Sequence, residues 1–305
     1  MKKLLTVNNT YEDTYKNSDL IYNIFIKNDM IYIISTIINN EDKIPSIKVN
    51  DIELTEYSQN NYEPSLYFLG PLPKSDLLTI TINDKLYKNI YKNSIEQCVS
   101  LEKKNKLAFA TLFKNDYIFL ETFINHYRKQ GVDCFYLYYH GSVFPENMPQ
   151  GPDIIYILWN IQPYFWKNTR YRHNAQTAFL TMFQQKYFDD NERIILADLD
   201  EFIINYRGGT ILELLNTNES DVISARNYWA KISDNRITYT LNTLGTHSRT
   251  KCIYKGSYNR SLGIHRPKMT SPEDCADLRM LHITNVLHPE RTKDVVEPLE
   301  TFIIQ

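Results

Sequence analysis

Up to about residue 92, apolar and polar side chains alternate along this chain with the period of two that marks half-buried strands. Ile47-Lys48-Val49 and Ile52-Glu53-Leu54 flank Asn50-Asp51, a pair that tolerates the positive φ of a tight turn, so a hairpin is expected there. Residues 78–82 and 86–91 repeat the pattern around Asn83-Asp84-Lys85, and 21–26 and 30–38 supply two further strands. The expectation is a small antiparallel β-domain, sandwich-like, over residues 1–95.

From residue 107 the pattern changes. Residues 107–113 form an apolar run suited to a buried strand, and 117–129 then place Phe119, Leu120, Phe123, Ile124 and Tyr127 on one helical face. Gly131 follows as the residue that ends the helix. Residues 132–139 and 154–159 read as strands, and 175–187 as a helix that buries Ala178, Phe179, Met182 and Phe183. Residues 193–197 are apolar apart from Arg193, the clearest buried strand in the chain. Gly208-Gly209 and residues 210–215 suggest a turn and a short helix, and 221–225 another strand; beyond Tyr228 strands and long loops are expected to line a site. Strand, helix and strand in succession predict an α/β domain with a parallel sheet over residues 96–305.

Composition narrows the function. With 305 residues and 43% hydrophobic content, the chain can bury a full core. Net charge is -2, and the 34 basic residues are spread along the sequence, which argues against a nucleic-acid partner. Met1-Lys2-Lys3-Leu4-Leu5 opens like a signal peptide but turns polar at Thr6, and the most apolar stretch, 30–38, is too short to span a bilayer. A soluble, cytoplasmic protein is the expectation. Cys98, Cys134, Cys252 and Cys275 are far apart and read as free thiols.

The chemistry concentrates in Ala197-Asp198-Leu199-Asp200-Glu201-Phe202. Residues two apart on an extended backbone point the same way, so Asp198 and Asp200 can present both carboxylates to one point at the carboxyl end of a buried strand. Such hard oxygen donors suit Mg²⁺ or Mn²⁺, with a diphosphate completing the shell; the competing reading is an acidic turn facing water. There is no Gly-rich phosphate loop, no GxSxG elbow and no zinc-type Cys/His spacing.

Three more segments extend a match. Leu107-Ala-Phe-Ala-Thr-Leu-Phe-Lys-Asn-Asp116, Phe119-Leu-Glu-Thr-Phe-Ile-Asn-His-Tyr127 and Gln130-Gly-Val-Asp-Cys-Phe-Tyr136, followed by the acidic motif, resemble the family-92 glycosyltransferases and their family-2 relatives. Arg249-Thr250-Lys251-Cys252-Ile253 and Gly263-Ile264-His265 resemble the family's downstream basic segment and histidine. The likeness covers roughly residues 105–285. It implies a Rossmann-like GT-A nucleotide-sugar-binding domain and an inverting transfer from a nucleotide sugar, usually a UDP-sugar. It also implies Mn²⁺ bridging Asp198, Asp200 and the donor diphosphate as a Lewis acid. The third metal ligand is then a histidine, His265 first and His282 in reserve.

Other residues follow from position. Arg172, Asn174 and Gln176 precede or open the helix before the acidic strand, where amides and a guanidinium can hold ribose or phosphate; ordinary capping is the rival reading. Arg249 and Lys251 share one face if their segment is a strand, with Lys255 as a further phosphate contact. Asn115 and Asp116, at the end of the first strand of the catalytic domain, lie where GT-A proteins meet the base, or form an N-cap pair. Asp200 and Asp234 are the residues put forward for catalysis: an inverting transfer needs a carboxylate to take the acceptor proton, and Asp234 is offered because Tyr228-Trp229-Ala230 before it resembles the family's acceptor-side loop, with Glu273-Asp274 as the second choice. Trp229 offers a ring to stack on a sugar, with a place in the core as the rival reading. A glycan or other hydroxyl compound would be the acceptor. The amino-terminal unit is left with three roles: positioning the acceptor, forming a homodimer, or packing against the catalytic unit. Two rivals stay open, an inactive transferase that binds glycans and a metal-dependent phosphohydrolase.

Overall fold

The computed structural model of the protein describes residues 3–6, 20–36, 45–58, 66–114, 116–141, 143–159, 164–165, 173–233, 236–240, 250–260, 262–263, 265, 267, 271–284 and 299–303. Its centre is an 11-stranded mixed sheet. Lys3–Thr6, Ile154–Leu158, Cys134–Tyr139, Asn105–Phe113 and Asn191–Leu196 lie side by side and parallel. The sense reverses at Lys251–Lys255, which is antiparallel to Asn191–Leu196 and pairs next with Val222–Ser233. Arg236–Thr240 and Leu299–Ile303 complete that edge, while Glu273–Ile283 pairs with both Val222–Ser233 and Glu201–Asn205.

The parallel half is buried on both faces, and the period of two decides which residue faces which layer. Leu107, Phe109 and Phe113 join one core cluster with Phe123 and Tyr127 of the helix Leu120–Lys129. Ala108 and Ala110 join the other, with Phe179 and Phe183 of the helix Ala175–Tyr187. Ile195 and Ile194 divide the same way. Each large side chain so buried contributes on the order of 2 kcal/mol, which is why these strands tolerate almost no polar residue. The first helix ends as Gly131 predicts: φ is +94°, Gly131 N–H bonds Arg128 O at 3.1 Å and Val132 N–H bonds Tyr127 O at 3.0 Å.

Residues 20–98 build two smaller sheets. One orders Glu96–Cys98, Leu20–Lys27, Met30–Thr36, Leu66–Pro71 and Thr55–Ser58; the other Ile52–Glu53, Ile47–Val49, Leu77–Ile82 and Lys85–Tyr91. Ile31, Ile33, Phe68, Ile47, Val49, Leu78 and Ile80 fill the space between them. Three hairpins turn through an Asn-Asp pair with both φ positive: Asn28-Asp29, Asn50-Asp51 and Asn83-Asp84.

Two expectations need correcting. The five-stranded sheet is not wholly antiparallel, because Glu96–Cys98 leaves the other sheet and joins Leu20–Lys27 in the same direction. Nor does the division at residue 95 hold at the start of the chain: Lys3–Thr6 forms the outer parallel strand of the large sheet, where it pairs with Ile154–Leu158.

Candidate functional site

Asp198 and Asp200 leave the sheet at the carboxyl end of Asn191–Leu196, but not on an extended backbone. The chain turns at Leu199 and Asp200, closed by Glu201 N–H to Asp198 O at 3.1 Å, and Leu199 is driven into the core. The two carboxylates therefore reach the site from a turn. That turn is anchored from below: Tyr127 donates its hydroxyl to Glu201 O at 2.8 Å and accepts Ile203 N–H at 3.0 Å, while the His126 ring bonds Ile203 O at 2.8 Å. Helix Leu120–Lys129 thus holds the segment after the acids by three buried hydrogen bonds.

The two acids take different partners. Asp198 Oδ2 receives the Lys251 ammonium at 2.8 Å, and its Oδ1 receives Gln176 Nε2 at 3.3 Å. Asp200 Oδ2 lies 3.3 Å from His282 Nε2. Glu201 ties the halves together: its Oε2 accepts Asp198 N–H at 2.8 Å and lies 3.4 Å from Lys251 Nζ, while its Oε1 is 3.6 Å from His282 Nδ1, too long for a hydrogen bond. Strand pairing sets these meetings, since His282 stands opposite Glu201 on one side and opposite Trp229 on the other. The Trp229 and His282 rings are 4.9 Å apart.

Burial and charge together fix the ionisation. Burial pushes the Glu201 carboxyl up; Lys251 pulls it back while Asp198 and Asp200 add to the rise, leaving it at about 7. Burial also opposes the charged form of Asp198, yet Lys251, with smaller help from His282 and His265, holds that carboxyl below the usual range. Burial works against the Lys251 ammonium, but Asp198 and Glu201 raise it above the ordinary lysine range. At His282 burial favours the neutral ring, and the Asp200 hydrogen bond with the charges of Glu201, Asp200 and Asp198 outweighs it, so its pKa rises.

Of the residues expected at the site, Asp198, Asp200, Gln176, Lys251 and Trp229 are brought together, and His282 is in contact with the acids. His265 is exposed and acts on Asp198 through its charge; its main-chain oxygen accepts the Cys252 thiol at 3.4 Å. Asn115, Arg172, Asp234 and Arg249 lie outside the described residues, and for Asp116 and Asn174 only the backbone is described, in a 3₁₀ turn and a two-residue strand. Two further candidates lie away from this cluster. Lys255 sits four residues along its strand from Lys251, roughly 13 Å away, and pairs with Glu219 and Asp221. Glu273 and Asp274 begin a strand that reaches the site only at His282, and are bound to Ser220, Asn218 and Arg226.

Glu201 is the site residue that sequence reasoning passed over. Its signal was an acid directly after the paired aspartates at the head of an apolar strand. Asn227, fully buried on the same face of its strand as Trp229, has neither side-chain amide atom hydrogen-bonded among the described residues; no sequence signal marks it.

The carboxylates of Asp198 and Asp200 are the donor chemistry of a Mg²⁺ or Mn²⁺ site, so these residue types fit such an ion. Among the described residues, however, no three His, Cys, Asp or Glu side chains converge on one point.

The model of glycosyltransferase family 92 matches residues 107–302. Compared with curated proteins by sequence, the chain has no significant match. Among solved structures, the crystal structure of maltogenic amylase from S. marinus matches at 11% identity and a TM-score of 0.22, over 65% of this chain. This chain spans 33% of that one, and so weak a superposition carries no argument.

Proposed function

The chain belongs to glycosyltransferase family 92, and from that premise we propose that it moves a sugar, with inversion, from a UDP-sugar to a hydroxyl of a glycan or related acceptor. The observation that carries the reading is the meeting of Asp198, Asp200, Gln176, Lys251 and His282 at the carboxyl end of a buried parallel strand, inside the matched region. In open α/β sheets ligands bind at that edge. The domain is accordingly read as a GT-A fold.

In this reading Asp198 and Asp200, with His282 in preference to His265, hold Mn²⁺ or Mg²⁺ together with the donor diphosphate. When bound, the ion supplies Lewis-acid stabilisation of the departing phosphate oxygen. The chain's own residues do the rest. Gln176 and Glu201 hold Asp198 in place through its side chain and its backbone N–H. Lys251 offers a fixed positive charge at the phosphate side, and Arg172, Asn174 and Arg249 are further donor contacts. Asn115 and Asp116 face the base in this assignment. Trp229 gives a flat apolar surface beside His282 for a sugar ring. Asp234 takes the proton from the acceptor hydroxyl as the bond to the anomeric carbon forms.

The test is a thermal-shift panel of nucleotide sugars with and without Mn²⁺. A UDP-sugar is expected to raise the melting temperature only when the metal is present, and Asp200→Ala to lose that response. If the panel leaves the native protein unmoved, or the variant responds like its parent, the donor-site assignment falls. Release of phosphate without an acceptor would instead favour the phosphohydrolase.

A further inference from the structure

Lys251 is buried where a free phosphate-binding lysine would be exposed. Only 2% of its side chain reaches solvent, and its ammonium lies 2.8 Å from Asp198 and 3.4 Å from Glu201. An unpaired ammonium in such a place costs several kcal/mol, so its bonds to the acids are what make the burial tolerable. The strand leaves it little choice of position. Cys252 next to it pairs with Leu196, and Lys251 itself with Ala225, which fixes its backbone beside the acidic turn.

Each oxygen of Asp198 already accepts one donor of the chain itself, Lys251 on Oδ2 and Gln176 on Oδ1. A divalent cation that bound Asp198 alone would either displace the ammonium and strand it, or sit beside it as a like charge. A diphosphate removes both penalties by giving Lys251 a new counter-charge.

We propose that Lys251 is a charge-exchange residue: it neutralises Asp198 in the empty site and releases that carboxylate to the cation only when phosphate oxygens take over its ammonium. The exchange is a change of partners, with no proton moved and no bond made or broken. It rests on the donor-site reading above and adds a coupling to it. Cation and nucleotide bind each other's loaded form more tightly, and part of that coupling runs through one side chain.

The experiment is calorimetric titration of MnCl₂ into the full chain, without nucleotide and with saturating UDP, for the native protein, Lys251→Met and Lys251→Arg. Without UDP, Lys251→Met is expected to bind Mn²⁺ about tenfold more tightly than the native protein, and to gain less from UDP by a similar factor. Lys251→Arg, which keeps the charge, is expected to stay near native. Should Lys251→Met fail to fold, as judged by its melting curve, Lys251→Gln carries the same expectation. The proposal is overturned if removing the charge leaves nucleotide-free Mn²⁺ binding unchanged or weaker. If the native chain binds neither Mn²⁺ nor UDP, the donor-site reading falls with it; if it binds both and only the variant result fails, the donor site stands and Lys251 has no such role.

Discussion

At His282 and His126 the same imidazole meets opposite surroundings. His282 faces carboxylates and is pushed toward the charged form; His126 is sealed between Tyr127, Phe202 and Phe302, and burial lowers its pKa to about 4, more than its bond to Ile203 O can restore. For His126 the linkage sign is unambiguous. In the unfolded chain the ring takes a proton below its ordinary value near 6.5, while the folded protein resists until about 4. Its contribution is present above 6.5 and is lost as pH falls toward 4, amounting to on the order of 3 kcal/mol at most. His126→Gln, which retains a donor for Ile203 O, is expected to lose less stability than the native protein between pH 7 and 4.5 in urea unfolding; equal losses would remove His126 as the cause. Legibility at this scale was partial. The paired aspartates and Gln176 could be read from local pattern, because each sits at a recognisable element end, whereas Lys251 came with the resemblance to the family's basic segment. Glu201 was passed over and His282 was placed only in reserve, since they are neighbours only through a strand pairing between positions 81 residues apart.

Among the elements, those with local determinants were the ones that could be read in advance. Helix Ala175–Tyr187 has the bounds its apolar face predicts, and Thr210 caps Ile211–Asn216 in a reciprocal box with Glu213. The strand expected over 221–225 instead runs Val222–Ser233, because Glu273–Ile283 and Arg236–Thr240 extend its pairing past the point where the apolar pattern fades. The junction of Asn191–Leu196 and Lys251–Lys255 depends on Gly256, whose N–H bonds Glu192 O at 2.9 Å. A Cβ there would overlap the main-chain oxygens of Asn191 and Phe188, neither of which can swing away as a side chain can. Gly256→Ala is accordingly expected to destabilise by about 3 kcal/mol or more, read as a lower urea midpoint. Wild-type stability in that variant would mean the strands separate there at little cost.

Across the whole molecule, the five-stranded sheet is fastened to the large sheet's covering helix by charges as well as apolar side chains. Phe25 and Ile34 enter the same cluster as Phe179 and Phe183. Lys27 donates to Gln185 O at 3.2 Å and Lys186 O at 3.0 Å, and the buried Lys186 ammonium bonds Glu96 and lies 4.9 Å from the Phe25 ring centroid. Glu96→Gln removes the carboxylate and leaves that ammonium against an aromatic face. The expected cost is about 3 kcal/mol, with one cooperative transition monitored by both far-ultraviolet circular dichroism and tryptophan fluorescence. Two separated transitions would show that the smaller sheets unfold on their own. Among the described residues no helix is long and apolar enough to cross a membrane.

Period, turn chemistry and the placing of paired acids after an apolar strand are written in the sequence, because each depends on residues within a few positions of one another. They sufficed for the alternation of strands and helices, for the hairpins at Asn50-Asp51 and Asn83-Asp84 and for the place of the acidic pair after its strand, though not for the turn it sits in. Which histidine meets Asp200, that Lys251 is spent on Asp198 and Glu201, and that Lys3–Thr6 crosses to the far edge of the large sheet were decided by tertiary structure alone. Those contacts are made by strand register and burial between distant segments, and no local pattern encodes a register.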